Sequence, residues 1–256
     1  MKKVTVFVAS GRKGHTYDAA AQFLRNLQSL GDIKGEIVRL SDYQLRPCMG
    51  CQVCFAKGEE YCPLKDDRDA LIEKMMASDG VVFATPNYSF HVSALLKMFL
   101  DRLGFAFHRP RFFGKTFTGI VAQGIYGGNK IVDYLNFVGN ALGFRTVKGS
   151  CIMTLDPMTA KQQHKIDVAL AAQARRYDAK LKQLGNPAPS LMDLMFFRMG
   201  RTKVRLELDD SACDYQYYRD KGWFESDFYY PTRLGFLKKG AGGFFDAMFA
   251  RMTKAR

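Results

Sequence analysis

The chain has 256 residues, 47% of them hydrophobic and 13% aromatic, which is enough to bury a substantial core and excludes a disordered chain. A formal net charge of +13 favours phosphates, nucleotide cofactors or other polyanions as partners. No Lys/Arg run is dense enough to be read as a nucleic-acid patch, and no apolar run reaches the ~20 residues of a membrane span.

The start, Met1-Lys2-Lys3, leads into a short β-branched run, residues 3–9, that is too brief for a secretory signal and is read as a strand. Ser10 to His15 is a polar, glycine-containing loop. Residues 16–30 repeat apolar side chains at helical spacing (Ala19, Ala20, Phe23, Leu24, Leu27) and stop at Gly31. Residues 36–40 form a second strand. A long irregular loop, 43–65, then holds four cysteines, and a helix capped by Asp66 or Asp67 follows. Residues 80–85 are almost wholly apolar, as expected of a strand covered on both faces. Next come a helix at 92–103, a strand at 117–122, a helix at 131–142, a strand at 147–153 and a long helix at 158–184. Five strand–helix alternations predict a doubly wound, five-stranded parallel sheet with helices on both faces. Its ligands are expected beyond the carboxyl ends of the strands. Asn186-Pro187-Ala188-Pro189 ends the pattern, so residues 1–185 are read as the binding domain and 186–256 as an aromatic-rich extension. That extension packs on the body, joins a dimer, covers the site or lies on anionic membrane; packing is the plainest reading.

Three loops fall on the expected ligand edge. Ser10-Gly11-Arg12-Lys13-Gly14-His15-Thr16 joins a strand to a helix N-terminus, and its hydroxyls, amides and cations suit a phosphate. It has neither the G-x-G-x-x-G of a dinucleotide site nor the Gly-Lys-Ser/Thr of a P-loop, so a monophosphate fits best. Pro86-Asn87-Tyr88-Ser89-Phe90 offers peptide groups and rings to a flat ligand. Gln123-Gly124-Ile125-Tyr126-Gly127-Gly128 allows close backbone approach. Each alone could be an ordinary turn.

The combination of Ser-x-Arg-Lys…Thr, Pro-x-Tyr…Leu-Lys-x-Phe-Leu-Asp-Arg and a glycine-rich fourth loop resembles the NADPH-dependent FMN reductases of the flavodoxin-like fold. The resemblance covers residues 1 to about 185. It implies that FMN binds with its phosphate on Ser10, Arg12 and Thr16, with Lys13 and His15 nearby. Pro86, Asn87, Tyr88, Ser89 and Phe90 would border the ring system, and Gln123, Gly124, Tyr126, Gly127 and Gly128 would close the other side. It further implies NAD(P)H as hydride donor, a small molecule or redox protein as acceptor, a homodimer or homotetramer, and a cytoplasmic location. A non-catalytic electron carrier serving a protein partner is the alternative.

Cys48, Cys51, Cys54 and Cys62 follow C-x2-C-x2-C-x7-C, with Pro63 after the last. Such spacing suits a [4Fe–4S] cluster better than structural zinc, which prefers separated pairs. Unligated or disulfide-forming thiols remain open. The motif is similar to that of the iron-sulfur flavoprotein branch of the same family. Cys151 and Cys213 read as small hydrophobes.

Overall fold

A computed structural model describes residues 1–254. In chain order the elements are β1 (Lys2–Val8), α1 (His15–Gln28), β2 (Ile33–Arg39), α2 (Val53–Ala56), α3 (Arg68–Met76), β3 (Gly80–Pro86), α4 (Ala94–Arg102) and α5 (Gly104–His108). Then follow β4 (Thr116–Gln123), α6 (Gly128–Ala141), β5 (Arg145–Thr146), β6 (Ser150–Met153), α7 (Ala160–Lys182), α8 (Leu191–Glu207), α9 (Cys213–Asp220) and α10 (Phe236–Lys254).

The chain divides into two compact units. One comprises Met1–Cys48, Lys65–Gly104 and Pro110–Leu184; the other comprises Met49–Leu64, Phe105–Arg109 and Gly185–Arg256. The first unit holds a parallel sheet of order β2-β1-β3-β4-β5, with β6 also pairing with β4. This is the doubly wound flavodoxin-like order. Alternation along β1 divides the core. Val4, Val6 and Val8 pack with Phe23 and Leu27 of α1 and with Leu170, Ala174 and Tyr177 of α7. Phe7 faces the other side, where it meets Phe83 edge-on at 5.7 Å and stacks on Phe99 of α4 at 6.0 Å. Every residue of β3 is buried, because helices cover both faces of this central strand.

The fifth strand differs from its expectation. It is split into β5 and β6, and the sheet has six strands. The break falls at Lys148-Gly149, where a Cβ on Gly149 would stand 2.2 Å from the Gly119 carbonyl oxygen. The edge chain presses against the backbone of β4 there, a contact only glycine permits. Helix α5 follows α4 directly and was not foreseen. In the second unit the aromatic-rich residues form α8, α9 and α10, and Trp223 packs edge-on against Tyr218 and Tyr229.

Candidate functional site

The first unit carries a cleft at the carboxyl ends of its strands. Ser10 is buried just past β1, and its hydroxyl donates to the Arg12 carbonyl at 2.9 Å, which tightens the turn into α1. Arg39 donates to the Gly11 carbonyl at 3.3 Å. Gly14 is the N-cap of α1 and no side chain caps it, so the first-turn amides and the positive end of the helix dipole stay available to an anion. Ser93 ties the first loop to the third. Its hydroxyl donates to the Ala9 carbonyl at 2.6 Å, and its amide donates to the Thr85 hydroxyl at 3.1 Å.

The third loop is fixed from both sides. The Asn87 amide donates to the Ala122 carbonyl at 2.7 Å, and its side-chain nitrogen donates to the Tyr126 carbonyl at 2.9 Å. Tyr88 and His91 exchange backbone hydrogen bonds around Ser89 and Phe90, whose φ values are 49° and 63°. Two consecutive non-glycine residues in the left-handed region cost of order 1–2 kcal/mol each, a kind of strain that concentrates at ligand clamps. Phe90 meets the Tyr126 ring at 5.2 Å. The Phe90 ring also crowds Gly127, where a Cβ would lie 3.1 Å from Phe90 Cδ1 and the φ of +93° itself favours glycine. The Gly128 amide donates to Gln123 Oε1 at 2.7 Å, turning the fourth loop into α6.

The cleft has a volume of about 200 Å³ and is lined by Ser10, Arg12, Gly14, His15, Thr16, Pro86, Asn87, Tyr88, Ala122, Gln123, Gly124, Thr154 and Asp156. Nine residues singled out from the sequence are therefore brought together. Lys13, Ser89, Phe90, Tyr126, Gly127 and Gly128 do not line it. Lys13 instead holds its ammonium 5.5 Å above the Tyr17 ring, and Ser89 and Phe90 form the tip of the neighbouring turn. Thr154 and Asp156 were missed. They follow the fifth strand, whose carboxyl end meets the same edge, and strand order alone could have pointed to them. Asp156 pairs with His15 at 3.0 Å.

The donor set suits a phosphorylated flavin. Hydroxyls, a guanidinium and uncapped amides gather around the first loop. Asn87 also lines the cleft, and its Oδ1 is buried with no hydrogen-bond partner among the described residues.

The cysteine loop is held differently. Cys48 and Cys51 are exposed, and Cys54 and Cys62 are half-buried. Gly50 and Gly58 take φ values of +65° and +123°, and Gln52 begins α2 at +59°. Among the described residues, no three His, Cys, Asp or Glu side chains are gathered to hold a metal ion, so the expected ligand set is not assembled in this structure. Within the second unit the loop is fastened by Arg109, which is fully buried. Arg109 donates to the Cys54 carbonyl at 2.8 Å and to Glu59 at 2.6 Å, and it pairs with Asp214 at the start of α9. Asp214 also meets His108 Nδ1 at 2.8 Å, and His108 stacks on Phe55 at 4.2 Å. Burial lowers the affinity of Arg109 for its proton, but the charges of Asp214 and Glu59 outweigh that and hold it above its ordinary value. In the first unit, Cys151 is pushed up to about 11 by burial, as expected of an inert core thiol.

A parallel sheet in this order, with a phosphate-competent helix terminus and an open polar cleft at its carboxyl edge, defines a flavodoxin-like oxidoreductase. The chain belongs to the NADPH-dependent FMN reductase family, whose profile matches residues 2–155. An iron-sulfur flavoprotein of Archaeoglobus fulgidus is 27% identical over 233 residues, covering 87% of this chain and 100% of that protein. Another, from Methanocaldococcus jannaschii, is 35% identical over 102 residues, 40% of this chain and 51% of that protein. Among solved structures, RosB with a bound riboflavin-phosphate intermediate aligns at a TM-score of 0.60 over 92% of each chain. At 12% identity that likeness speaks for the fold alone.

Proposed function

We propose that the protein takes a hydride from NAD(P)H onto FMN held in this cleft and passes the electrons to a separate acceptor. The observation carrying this reading is the convergence of three loops on one sheet edge, where hydroxyls, a guanidinium and uncapped helix amides line the same cleft as Asn87, whose Oδ1 has no partner among the described residues. FMN, when bound, supplies the redox chemistry. The chain's own part is to bind and orient. Ser10, Arg12, Thr16 and the α1 amides hold the phosphate, while His15, kept in place by Asp156, flanks it. Pro86, Asn87 and Tyr88 border the ring from one side, with the Gln123–Gly128 loop on the other. Lys13 acts as a long-range cation. Ser89, Phe90, Tyr126, Gly127 and Gly128 act through the shape of the turn and the approach of the two loops.

Replacing Arg12 with Ala tests the phosphate assignment. A charge-assisted hydrogen bond contributes about 1.5–3 kcal/mol, so FMN affinity should fall about tenfold or more while riboflavin affinity barely changes. Equal losses for both ligands would contradict it.

The same reading gives Cys48, Cys51, Cys54 and Cys62 to a [4Fe–4S] cluster. Thiolate chemistry, the tight spacing and the iron-sulfur flavoproteins among the relatives support it. The sulfurs are not gathered in this structure, so no electron step is routed through them. Anaerobically prepared protein should carry about four iron and four sulfide per chain, lost in a Cys51→Ser variant that still binds FMN. Fully flavin-loaded anaerobic protein with neither would remove the assignment.

A further inference from the structure

The second unit leaves a coherent apolar face uncovered. Along α10, the 3.6-residue repeat sets Phe236, Gly240, Gly243, Phe244, Ala247 and Arg251 in one exposed stripe. Leu237 borders it. Phe236 is 91% exposed, Leu237 84% and Phe244 64%. Two exposed phenylalanines on one face of a helix, two turns apart with only glycine between them, leave an apolar patch of the kind that marks an interaction surface. Helix α8 lies alongside α10. Lys238 donates to the Pro189 carbonyl just before α8, and Asp246 pairs with Arg198 at 2.8 Å and Arg201 at 2.6 Å. Leu191 and Met192, in the first turn of α8, are also more than half exposed.

The charge pattern selects the partner. Residues 231–254 carry Arg233, Lys238, Lys239, Arg251 and Lys254 against a single acid, Asp246. That acid is turned away from the stripe and neutralised by the arginines of α8. The outward side therefore presents aromatic and aliphatic groups flanked by Lys239 and Arg251, with no carboxylate among them. A two-fold contact with a second copy would oppose these cations to themselves. An anionic bilayer surface matches both properties, accepting the rings at headgroup depth and the cations at its phosphates. No described helix is long and apolar enough to cross a membrane, so the contact is one that lies on the surface. We propose that α10 docks this protein on an anionic lipid surface through this stripe.

The test is co-sedimentation of the full chain with phosphatidylcholine vesicles, with and without about one-quarter phosphatidylglycerol. The proposal expects binding to the anionic vesicles only, weakening as salt shortens the Debye length. Phe236→Ser with Leu237→Ser should reduce the vesicle partition coefficient about tenfold, and Lys239→Glu with Arg251→Glu by a similar factor. These side chains are solvent-exposed, and unchanged circular dichroism and FMN binding would confirm that the variants fold. Absence of binding, or equal binding to neutral vesicles, would overturn the proposal. So would lipid-independent self-association in the ultracentrifuge that the Phe236→Ser, Leu237→Ser pair abolishes, because the face would then belong to a second copy.

Discussion

In the cleft, backbone does most of the positioning. Parallel register brings the ends of β1, β3 and β4 to one edge, and amide-to-carbonyl bonds such as Asn87 to Ala122 fix the loops that leave them. In Met49–Leu64, side chains do it. A single buried guanidinium holds the Cys54 carbonyl, Glu59 and Asp214 at once. The first arrangement spreads its ties over many small contributions, whereas in the second local turns such as Phe55 to Gln52 and Cys62 to Glu59 fold the loop and one residue bridges it to α9. Within the first unit a related device appears. Arg102 donates to the Arg46 carbonyl and pairs with Asp66, which also accepts the Arg46 and Arg68 amides.

The contrast is broken most severely by Arg109→Ala. It would leave Asp214, 2% exposed at its side chain, without its guanidinium and free the Cys54 carbonyl. Removing one partner of a buried pair costs about 3–5 kcal/mol. The only tryptophan, Trp223, lies in the same unit, so denaturant unfolding followed by its fluorescence reads the loss. A change below about 1 kcal/mol would mean that the loop does not depend on Arg109.

A smaller effect, with a pH signature, belongs to Asp66. Burial pushes its carboxyl up, but hydrogen bonds from Arg102 and from the Arg46 and Arg68 amides, together with the Arg102 charge, outweigh burial and hold it below 3.8. A carboxyl depressed in the folded state contributes stability that is complete above the unfolded value and is lost as pH falls through the folded one. Asp66→Asn should therefore cost about 1.5–3 kcal/mol at neutral pH, and the gap to the parent should close below pH 3.8. A gap that persists unchanged in acid would show that the charge of Asp66 is not what matters.

The difference between the two regions also explains what could be read in advance. Val4, Val6 and Val8 alternate because one face of β1 is core, and the unbroken apolar run of β3 follows from burial on both sides. Both signals are local. So were the loops after the first, third and fourth strands, and nine residues named from them line the cleft. The rest depends on distant partners. Gly149 interrupts the fifth strand because of Gly119 in a neighbouring strand. Arg109 and Asp214 meet across 105 residues, and neither stands in a motif. Thr154 and Asp156 required knowing which edge the last strand joins.

The central claim, that the chain uses FMN in this cleft to draw hydride from a nicotinamide, is tested most directly by anaerobic mixing. FMN-loaded protein is combined with NADPH, and in parallel with NADH, while the flavin band near ~450 nm is followed. Rapid bleaching by at least one of the two, with slower bleaching in Arg12→Ala at limiting FMN, is the predicted result. A flavin band unchanged by either nicotinamide would contradict the account and leave a carrier that receives its electrons from another protein.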